Sequence, residues 1–557
     1  MLQIKSSNNL QLTGCSLPLK LKITADLTID NPAFIKAKRQ RRPTWGIDQK
    51  LKLYLNDEDG NLILPRGYKG QLLTLLKEQG TRYDLTTDLV EGTPIDFGAW
   101  NKSYVLRDYQ TPLVNAILKD NGVGVAPAGS GKTIMGMAYI HQVGRPTLWL
   151  THTTDLMYQT KTRAEATLKG VGKIGMLGDG TKDYGDGKLI IATVQTLRAD
   201  PTLVDFLIPY IGVVIIDEAH HFPANQFIDT AAKFKAKRIV GLTATPDRKD
   251  GMEDYMYMGI GPRVHTVDRT ALYQNEQLVK PSVRFVYTDF TDRADDSQID
   301  NVDAGGEDLD YVGLINTLIS DTDRANLVAS TIVQAVPEGY AIAIAESVRY
   351  CFVLQEAVQR IAKDKGIKVR TAVVHGGIQR YTWRVASGKA DAETKAEYHG
   401  TECKYDKKAR RWKVKTPQYT DKEFKDWQIT KKQRQEILQS FEDKEIDVLF
   451  ATQLAREGLD FPHLTVGHSV TPKKGDDHNS TTGAGLEQEI GRIMRPDPTN
   501  PDKEAIWYDY VDANVGVFKQ QYYSRRRVYK RLGIKLVSKP RNTERDIIDD
   551  FLSNMKF

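Results

Sequence analysis

Cysteine is scarce in this chain. Its 557 residues include only Cys15, Cys351 and Cys403, which lie far apart and form no Cys-x-x-Cys pair. Closely spaced cysteines are what a disulfide scaffold or a cysteine-ligated zinc site requires. The spacing therefore argues against both, and we expect the three thiols to be chemically inert.

Long apolar runs are also missing. No segment approaches the roughly 20 consecutive apolar residues that a membrane-spanning helix needs, and the start, MLQIKSSNNLQL, lacks the apolar core of a signal peptide. Hydrophobic residues make up 40% and charged residues 27% of the sequence, an ordinary globular composition. We expect a cytoplasmic protein of several domains with no membrane partner.

The net charge of +6 is small for this length, but the positive residues cluster. The clusters are FIKAKRQRRPTW near residue 40, KYDKKARRWKVK near 410 and YYSRRRVYKRLGIK near 527. Local clustering governs polyanion binding more than the total charge does. Each cluster taken singly is nevertheless typical of a solvated surface.

Strand-like and helical segments alternate from residue 104 onward. A first series of apolar runs is GVGVA, TLWL, LIIATV, GVVIID and RIVGLTA, and a second, from about residue 280, is YAIAIAE, VRTAVVHG, IDVLFAT, HLTVGHSV and AIWYDYVD. Such alternation predicts two α/β units built around parallel sheets. Residues 1–95 instead contain short alternating segments with turns such as Asp59-Gly60, which favour a small α+β accessory domain.

A phosphate-binding loop is predicted in VGVAPAGSGKTIMGM, where a strand ends in a glycine-containing turn that opens a helix. Backbone N–H groups of the turn and the helix N-terminus can surround phosphate oxygens, while a lysine reaches the outer phosphates and a hydroxyl ligates Mg²⁺. Ala126 replaces the first glycine of the usual pattern, which weakens the motif taken alone. A chance glycine-rich turn is the alternative, disfavoured because strand, loop, lysine, hydroxyl and helix follow in order. The residues concerned are Ala128, Gly129, Ser130, Gly131, Lys132 and Thr133.

Two carboxylates end a predicted buried strand in VVIIDEAHHFPANQF. Because open α/β sheets bind ligands at the carboxyl ends of their strands, we expect Asp217 to reach a magnesium ion at the phosphate loop. Glu218 is the candidate general base that accepts a proton from the attacking water. The alternative is a pair of acids that caps the following helix, an interpretation that the phosphate loop disfavours.

With these motifs the chain resembles the superfamily 2 helicases, in the DEAH-bearing branch that includes XPB-like enzymes and the phage UvsW-like branch-migration helicases. The resemblance extends from about residue 20 to 530. Its motifs follow the family order: LRDYQ, APAGSGKT, LWLTHTTDLMYQ, IATVQTL, DEAHH, GLTATPDRKDG, IAIAESVRY, VVHGG, LFATQLAREGLDFP and QEIGRIMRPD.

The resemblance implies two tandem RecA-like parallel-sheet motor domains. We expect the first at 96–275 and the second at 276–520, with an insertion at 380–430 that is too long for a loop in a compact domain. Residues 1–95 are similar to the DNA-binding domain that precedes such motors. Residues 521–557 are expected to form a basic helical tail.

In the first motor domain, the resemblance implies that Gln110, after Arg107, reads the adenine edge, for which an amide donor and acceptor are suited. ATP is therefore the expected substrate, with Mg²⁺. Thr243 and Thr245 are similar to the residues that couple the nucleotide site to movement on the strand, and His220 to the histidine that bridges the motor domains. A satisfied interface histidine is the alternative for His220.

In the second motor domain, Arg492 and Arg495 are three residues apart, a spacing that predicts one helical turn with both guanidinium groups facing one cleft. Arginine forks suit a γ-phosphate, and Gln488 is expected one turn earlier on the same face. Gly458 and Asp460 resemble the ATP-sensing loop of the family. A surface salt bridge is the alternative for Arg495.

The expected partner is DNA, single-stranded, duplex or branched, with RNA as the alternative, and the protein is expected to be a monomer. The resemblance implies phosphate contacts from loops at the top of both motor domains, at Thr151, Thr153, Gln195, Thr196 and Thr452. The stretch HGTECKYDKKARRWKVKT in the insertion predicts a charged β-hairpin whose Trp412 can stack on a base. A solvated excursion without a role has nearly equal weight.

The leading interpretation is an ATP-driven DNA helicase or branch-migration motor in repair, recombination or replication. The alternatives are an RNA helicase, a duplex translocase serving a restriction nuclease, and a clamp that uses ATP only as a switch. The nuclease interpretation needs an attached nuclease centre. Glu393-Thr-Lys395 and Glu402-Cys-Lys404 have the Glu-x-Lys spacing, but no preceding strand supplies a convincing partner acid.

Overall fold

Three sheet-based units follow one another along the chain in a computed structural model of the protein. The structure describes residues 1–39, 43–221, 230–244, 253–274, 278–291, 311–378, 381–399, 401–406, 411–452, 461–475 and 484–537. None of the helices within these ranges is long and apolar enough to cross a bilayer.

The N-terminal unit is a five-stranded sheet covered by helices. The strands, in spatial order, are Leu55–Asn56, Leu62–Pro65, Asn9–Thr13, Leu2–Ser6 and Tyr83–Thr87. Helices Leu17–Asp26, Pro32–Arg39 and Lys69–Glu78 accompany it, and Thr28–Asp30 pairs with Lys50–Lys52. Alternate strand residues such as Leu10 and Leu12 point into a buried core, as the period of two requires. The predicted α+β fold is confirmed.

This unit packs directly on the first motor domain. A β-carbon at Gly67 would lie 2.2 Å from the carbonyl oxygen of Tyr257, so only glycine permits the approach of the two backbones. Nη1 of the adjacent Arg66 donates to the carbonyl of Ala236 at 3.0 Å. The accessory unit is therefore held against the sheet that carries the nucleotide motifs.

The first motor domain is an eight-stranded sheet that is parallel except at one edge. Its strands, in spatial order, are Thr181–Gly185, Ile174–Gly178, Leu189–Thr193, Thr147–Thr151, Val213–Asp217, Arg238–Thr243, Gly122–Val125 and Arg263–Thr266. The first of these is antiparallel to its neighbour. The helices are Gln110–Lys119, Lys132–Val143, Thr154–Thr167, Val194–Ala199, Pro201–Leu207, Glu253–Ile260 and Arg269–Gln274.

The second motor domain is a seven-stranded, fully parallel sheet. Its strands, in spatial order, are Thr371–Val374, Val448–Ala451, Tyr340–Ile344, Leu464–Ser469, Ile506–Val511, Ser282–Tyr287 and Lys535–Val537. The helices are Tyr311–Ser320, Thr322–Ala335, Val348–Asp364, Lys431–Glu442, Ala484–Ile490 and Gly516–Arg531. The two tandem parallel-sheet domains predicted from the sequence are confirmed.

The insertion is a small antiparallel sheet with two helices. Tyr381–Val385 and Cys403–Asp406 both pair with the central strand Arg411–Pro417, and helices Lys389–Tyr398 and Asp421–Trp427 complete it. The predicted hairpin is confirmed, since Tyr405 lies opposite Trp412. The third strand, Tyr381–Val385, was not expected.

The predicted tail at 521–557 is wrong for its first part. Helix Gly516–Arg531 starts before residue 521 and buries Tyr522, Val528 and Tyr529, and Lys535–Val537 is the edge strand of the second motor sheet. The basic run contains apolar residues at helical spacing, which indicate a packed helix, but its high charge made a solvent-exposed tail the expectation. Residues 538–557 lie outside the described part of the chain.

One arginine of the basic cluster near residue 527 is a buried structural residue. Nε and Nη2 of Arg525 donate to the two carboxylate oxygens of Asp509 at 2.8 and 2.7 Å, and Nη1 donates to the carbonyl of Lys473 at 2.6 Å. Both charged side chains are fully buried. The basic run around Arg525 does not indicate that this guanidinium faces inward.

We expect Arg525→Leu to lower the stability of the second motor domain by about 3–5 kcal/mol, because it leaves the Asp509 carboxylate buried without its partner. Arg527→Leu is the matched control, since Arg527 is exposed on the same helix and should change stability by less than about 0.5 kcal/mol. Urea unfolding followed by fluorescence measures both. Equal stability of the two variants would contradict a structural role for the buried pair.

Candidate functional site

The phosphate-binding loop has the conformation that its glycines allow. It links strand Gly122–Val125 to helix Lys132–Val143, and Gly129 and Gly131 have φ angles of 82° and 83°, in the left-handed region. A β-carbon at Gly131 would lie 2.7 Å from Nε2 of Gln110. The turn therefore brings backbone N–H groups to the N-terminus of a helix, where an anion is favoured.

Gln110 braces this loop. Its Nε2 donates to the carbonyl of Ser130 at 2.8 Å, and its Oε1 accepts from the backbone N–H of Arg107 at 3.0 Å. The hydroxyl of Tyr109 also donates to the carbonyl of Ser130, at 2.9 Å. The predicted contact of Gln110 with adenine stays a prediction, and the structure adds a positioning role that Tyr109 shares.

The two acids end strand Val213–Asp217 beside the loop. Asp217 is buried, and burial first, then the neighbouring Glu218 charge, raises the pKa of its carboxyl. Glu218 has a φ of 47°, uncommon for a residue with a side chain, and its N–H donates to Oδ1 of Asp217 at 3.0 Å. Oε1 of Glu218 lies 3.1 Å from Nζ of Lys132. Loop lysine and candidate base are thus in direct contact.

The residues present fit a magnesium ion. Thr133 is the second residue of the loop helix, and Asp217 supplies a carboxylate at the neighbouring strand end. Mg²⁺ bound with a nucleotide takes few protein ligands and completes its shell with phosphate oxygens and water. The buried hydroxyl of Ser130 makes no hydrogen bond to any residue that the structure describes, which leaves one polar group of the loop for a ligand.

A chain of polar contacts joins the two motor domains behind the acids. Nδ1 of His220 lies 2.7 Å from the hydroxyl of Thr243 and 3.5 Å from Oε2 of Glu218. On its other side, Nε2 of His220 lies 3.4 Å from Nε2 of Gln488, which comes from the second domain. The contacts agree with the bridging position predicted for His220 and connect the candidate base to the opposite sheet.

The predicted helical geometry of the two arginines is wrong. Helix Ala484–Ile490 ends before them, and Arg492 and Arg495 lie in the turn that follows. The turn comes close to the phosphate loop, since a β-carbon at Gly491 would lie 2.7 Å from Cβ of Ala128. Gly491 thus follows the end of the helix at a close approach between the two domains.

Arg495 faces the phosphate loop. Its Cγ lies 3.5 Å from the position that a β-carbon on Gly129 would take. Burial, together with the charge of Arg163 on the first domain, lowers the pKa of Arg495 to about 10, so the guanidinium remains charged at neutral pH. The structure therefore holds a partly buried cation beside the predicted phosphates.

The expected nucleic-acid loops are only partly presented to solvent. Thr151 is fully buried, and its hydroxyl donates to the carbonyls of Thr153 and Ala192 at 3.1 and 3.5 Å. Its predicted phosphate contact is therefore wrong. Thr153 caps helix Thr154–Thr167 by accepting from the N–H of Leu156 at 3.3 Å.

The other predicted contacts differ in exposure. Gln195 is exposed and donates to the carbonyl of His152 at 2.9 Å, and Thr196 bonds the hydroxyl of Thr193 at 2.9 Å. Thr452 is only 9% exposed. Three predicted site residues, Thr245, Gly458 and Asp460, lie outside the described residues.

Two ion pairs between the motor domains had no signal in the sequence. Arg434 lies 3.0 Å from Asp155, and Lys431 pairs with Asp179. Lys431 also covers the ring of Tyr158 at 4.8 Å. Partners more than 250 residues apart on unrelated motifs cannot be matched by spacing, although together they connect helix Lys431–Glu442 to the first domain.

Comparison with known families gives two matches. The family described as "Type III restriction enzyme, res subunit" matches residues 103–248, and "Helicase conserved C-terminal domain" matches residues 410–497. These segments contain the phosphate loop and the acids in one case and the arginine turn in the other.

Individual proteins give a consistent picture. The chain is 26% identical to "DNA 3'-5' translocase XPB2" of Sulfurisphaera tokodaii over 427 residues, 76% of this chain and 84% of that protein. It is 32% identical to "Putative DNA 3'-5' helicase Rad25" of Halobacterium salinarum over 225 residues, 39% of this chain but only 35% of that relative. Among solved structures, S. cerevisiae Dbp5 bound to RNA and ADP BeF3 aligns with a TM-score of 0.50 at 13% identity, covering 80% of this chain and 92% of that one, a likeness of fold alone.

Proposed function

We propose that this chain, which belongs to the superfamily 2 helicases and groups with the XPB-like enzymes, hydrolyses ATP to move on DNA and to unwind or branch-migrate it. The observation that carries the proposal is that two residues of the second motor domain lie against the first. Arg495 lies beside the phosphate loop, and Gln488 lies beside His220. Only an arrangement in which both domains complete one site can make hydrolysis depend on domain closure.

The contact between Lys132 and Glu218 suggests how the site is prepared for ATP. Lys132 and Glu218, 3.1 Å apart, neutralise each other's charge. When phosphates occupy the loop, Lys132 turns to them and leaves the Glu218 carboxylate to accept the proton of the attacking water. Mg²⁺ held by Thr133 and Asp217 would neutralise charge on the phosphate oxygens.

The second domain supplies positive charge that Lys132 and Mg²⁺ do not provide. The guanidinium of Arg495, supported by Arg492, stabilises negative charge that develops on the γ-phosphate. Gln488 contacts His220 across the two domains, and His220 contacts Thr243 within the first domain, so these residues can transmit the state of the site. Opening after hydrolysis would separate Gln488 from His220 and let one domain shift along the strand.

We expect DNA to bind across the carboxyl ends of the strands of both parallel sheets, at the loops that carry Thr153, Gln195, Thr196 and Thr452. Hydroxyl, amide and backbone donors there suit phosphates, so binding should be weakly sequence-specific and sensitive to salt. Trp412 lies in the insertion, outside these loops, with its ring centroid 5.6 Å from that of Tyr405, and base stacking by it is not part of this proposal.

The translocase of a restriction nuclease is the second candidate, favoured by the description of the family that matches residues 103–248. Its Glu-x-Lys residues are engaged elsewhere. Glu402 lies 3.0 Å from Lys415, Lys404 covers the ring of Trp383, and Lys395 pairs with Asp391 at 3.0 Å. These contacts give no support to a nuclease centre in the insertion.

We expect Lys132→Ala to weaken ATP binding about 100-fold, because it removes a charged hydrogen-bond donor to the phosphates, worth about 3 kcal/mol. Lys119→Ala, at the end of a helix in the same domain, should leave the affinity unchanged. Fluorescent-nucleotide titration measures both, and thermal melting checks that the first variant stays folded. Unchanged affinity in Lys132→Ala would contradict the phosphate-loop assignment.

The substrate class is tested by steady-state ATPase assays with single-stranded DNA, duplex DNA, a four-way junction and RNA. The proposal predicts strong stimulation by DNA, with the largest response on junctions if branch migration is the task. Stimulation by RNA alone would overturn the DNA assignment. Single-turnover hydrolysis that no nucleic acid accelerates would instead favour an ATP-switched clamp.

A further inference from the structure

Aromatic rings and lysines share one face of the insertion sheet. Residues directly opposite one another in antiparallel strands lie on the same face. Trp383 pairs with Lys415 and Lys404 pairs with Lys413, so these four side chains belong together, with Tyr381 two residues before Trp383. We call these five residues the aromatic–lysine face.

Contacts between the side chains confirm this grouping. Nζ of Lys404 lies 3.9 Å from the centre of the Trp383 ring, although Lys404 is on one edge strand and Trp383 on the other. Nζ of Lys415 lies 5.2 Å from the centre of the Tyr381 ring. Lys404 therefore reaches across the central strand to Trp383, and Lys415 extends from the central strand to Tyr381.

The opposite face is covered and carries Trp412. Helix Lys389–Tyr398 packs against the two strands of the hairpin, and Val414 is buried together with Ala392 and Ala396 of that helix. Trp412 lies two residues from Val414 and packs on Tyr405. The aromatic residue chosen from the sequence thus sits on the face that the helix partly occupies.

Charge complementarity identifies the occupant of the aromatic–lysine face. The segment 402–417 contains seven lysines and arginines against two acids, while the whole chain has a net charge of only +6. Rings flanked by mobile cations are what binds an unpaired strand, since bases stack on the rings and phosphates pair with the lysines. Lys404 is exposed and can turn from ring to phosphate. The Lys415 side chain is 35% exposed and lies 3.0 Å from Glu402, so a phosphate would replace that carboxylate as its partner.

We propose that the aromatic–lysine face binds single-stranded DNA, with Trp383 as the stacking residue and Lys404, Lys413 and Lys415 as phosphate contacts. The inference rests on the proposed function and adds a second strand-binding surface outside the two motor sheets. It also predicts a preference for unpaired DNA, because a base pair within a duplex offers no free ring face.

The test is equilibrium binding of a labelled oligothymidine strand and of a blunt duplex to the full chain without nucleotide. Trp383→Leu should weaken single-strand binding about 5- to 150-fold and leave duplex binding unchanged. Trp412→Leu is the matched control on the opposite face and should change neither. Trp383→Phe keeps a ring and should restore most of the affinity, which separates loss of stacking from loss of structure.

A charge test runs in parallel and leaves the core of the insertion intact. The double variant Lys404→Gln/Lys413→Gln should lower the salt dependence of single-strand binding by about 1.4 in log–log slope, since each phosphate contact contributes about 0.7. Lys389→Gln/Lys395→Gln removes the same charge from the helix of the insertion and should leave the slope unchanged.

The outcomes distinguish this inference from the proposed function. If wild-type ATPase is stimulated by DNA but Trp383→Leu binds single strands as Trp412→Leu does, the aromatic–lysine face is not a binding surface. A loss confined to Trp412→Leu would likewise overturn the choice of face. If the wild type neither binds DNA nor responds to it, the proposed function fails and this inference fails with it.

Discussion

Arg495→Ala is expected to lower the rate of ATP hydrolysis by about 10³–10⁵-fold, the range that removal of an arginine finger produces. The physical reason is the position of the guanidinium. It is partly buried, charged at neutral pH and placed beside Gly129 of the phosphate loop, where burial limits the water that can screen it. Stabilisation of developing charge is strongest in such a site.

Binding and turnover have to be measured separately for this variant. ATP affinity should change little, because the contribution of Arg495 is made in the transition state rather than in the ground state. Arg495→Lys should recover only part of the rate, since an ammonium lacks the planar fork of arginine. A large loss of affinity with an unchanged single-turnover rate would assign Arg495 to ground-state binding instead.

Glu218→Gln is expected to slow hydrolysis by about 10²–10⁴-fold while ATP remains bound. The amide has nearly the same shape as the carboxylate, so the contacts with Ala244 and His220 can persist. It cannot accept the proton of the attacking water. Loss of the ion pair with Lys132 should leave that lysine available for phosphates, which favours retention of ATP.

Single-turnover hydrolysis and nucleotide titration distinguish this result from a general loss of function. Glu165→Gln, on an exposed helix position of the same domain, is the control and should hydrolyse ATP at the wild-type rate. Wild-type hydrolysis by Glu218→Gln would refute its assignment as the base. Loss of ATP binding would show instead that its role is structural.

The parallel sheets were predictable because their strands are continuous apolar runs between helices. Strands such as Val213–Asp217 are buried on both faces, which fixes their composition. Two edge strands were missed because they lack this continuous apolar pattern. Thr181–Gly185 is polar and partly exposed, so its sequence does not differ from that of a loop. Lys535–Val537 has only three residues, too few to show a strand pattern.

The phosphate loop and the acids were predictable because local geometry is encoded in adjacent residues. The arginine turn was not, since a spacing of three fits both a helix and the turn that the structure shows after Ile490. The phosphate contact of Thr151 could not be judged from the sequence for another reason. A threonine at the end of a strand can hydrogen-bond a nearby backbone carbonyl as readily as a phosphate.

Most contacts between the domains lay beyond sequence reasoning. The resemblance implied a bridging position for His220, but its partner Gln488 and the pair of Arg434 with Asp155 depend on how the two domains are placed relative to one another. The aromatic–lysine face could not be predicted either, since Trp383 and Lys404 meet only across a central strand that follows both of them in the chain.

The measurement that tests the central claim most directly is remodelling of a four-way DNA junction by the wild type and by Glu218→Gln, followed on gels with and without ATP. The account predicts that the wild type converts the junction only when ATP is hydrolysed, and that Glu218→Gln binds the junction and ATP without converting it. Conversion by Glu218→Gln at the wild-type rate, or by the wild type without ATP, would contradict an ATP-driven DNA motor.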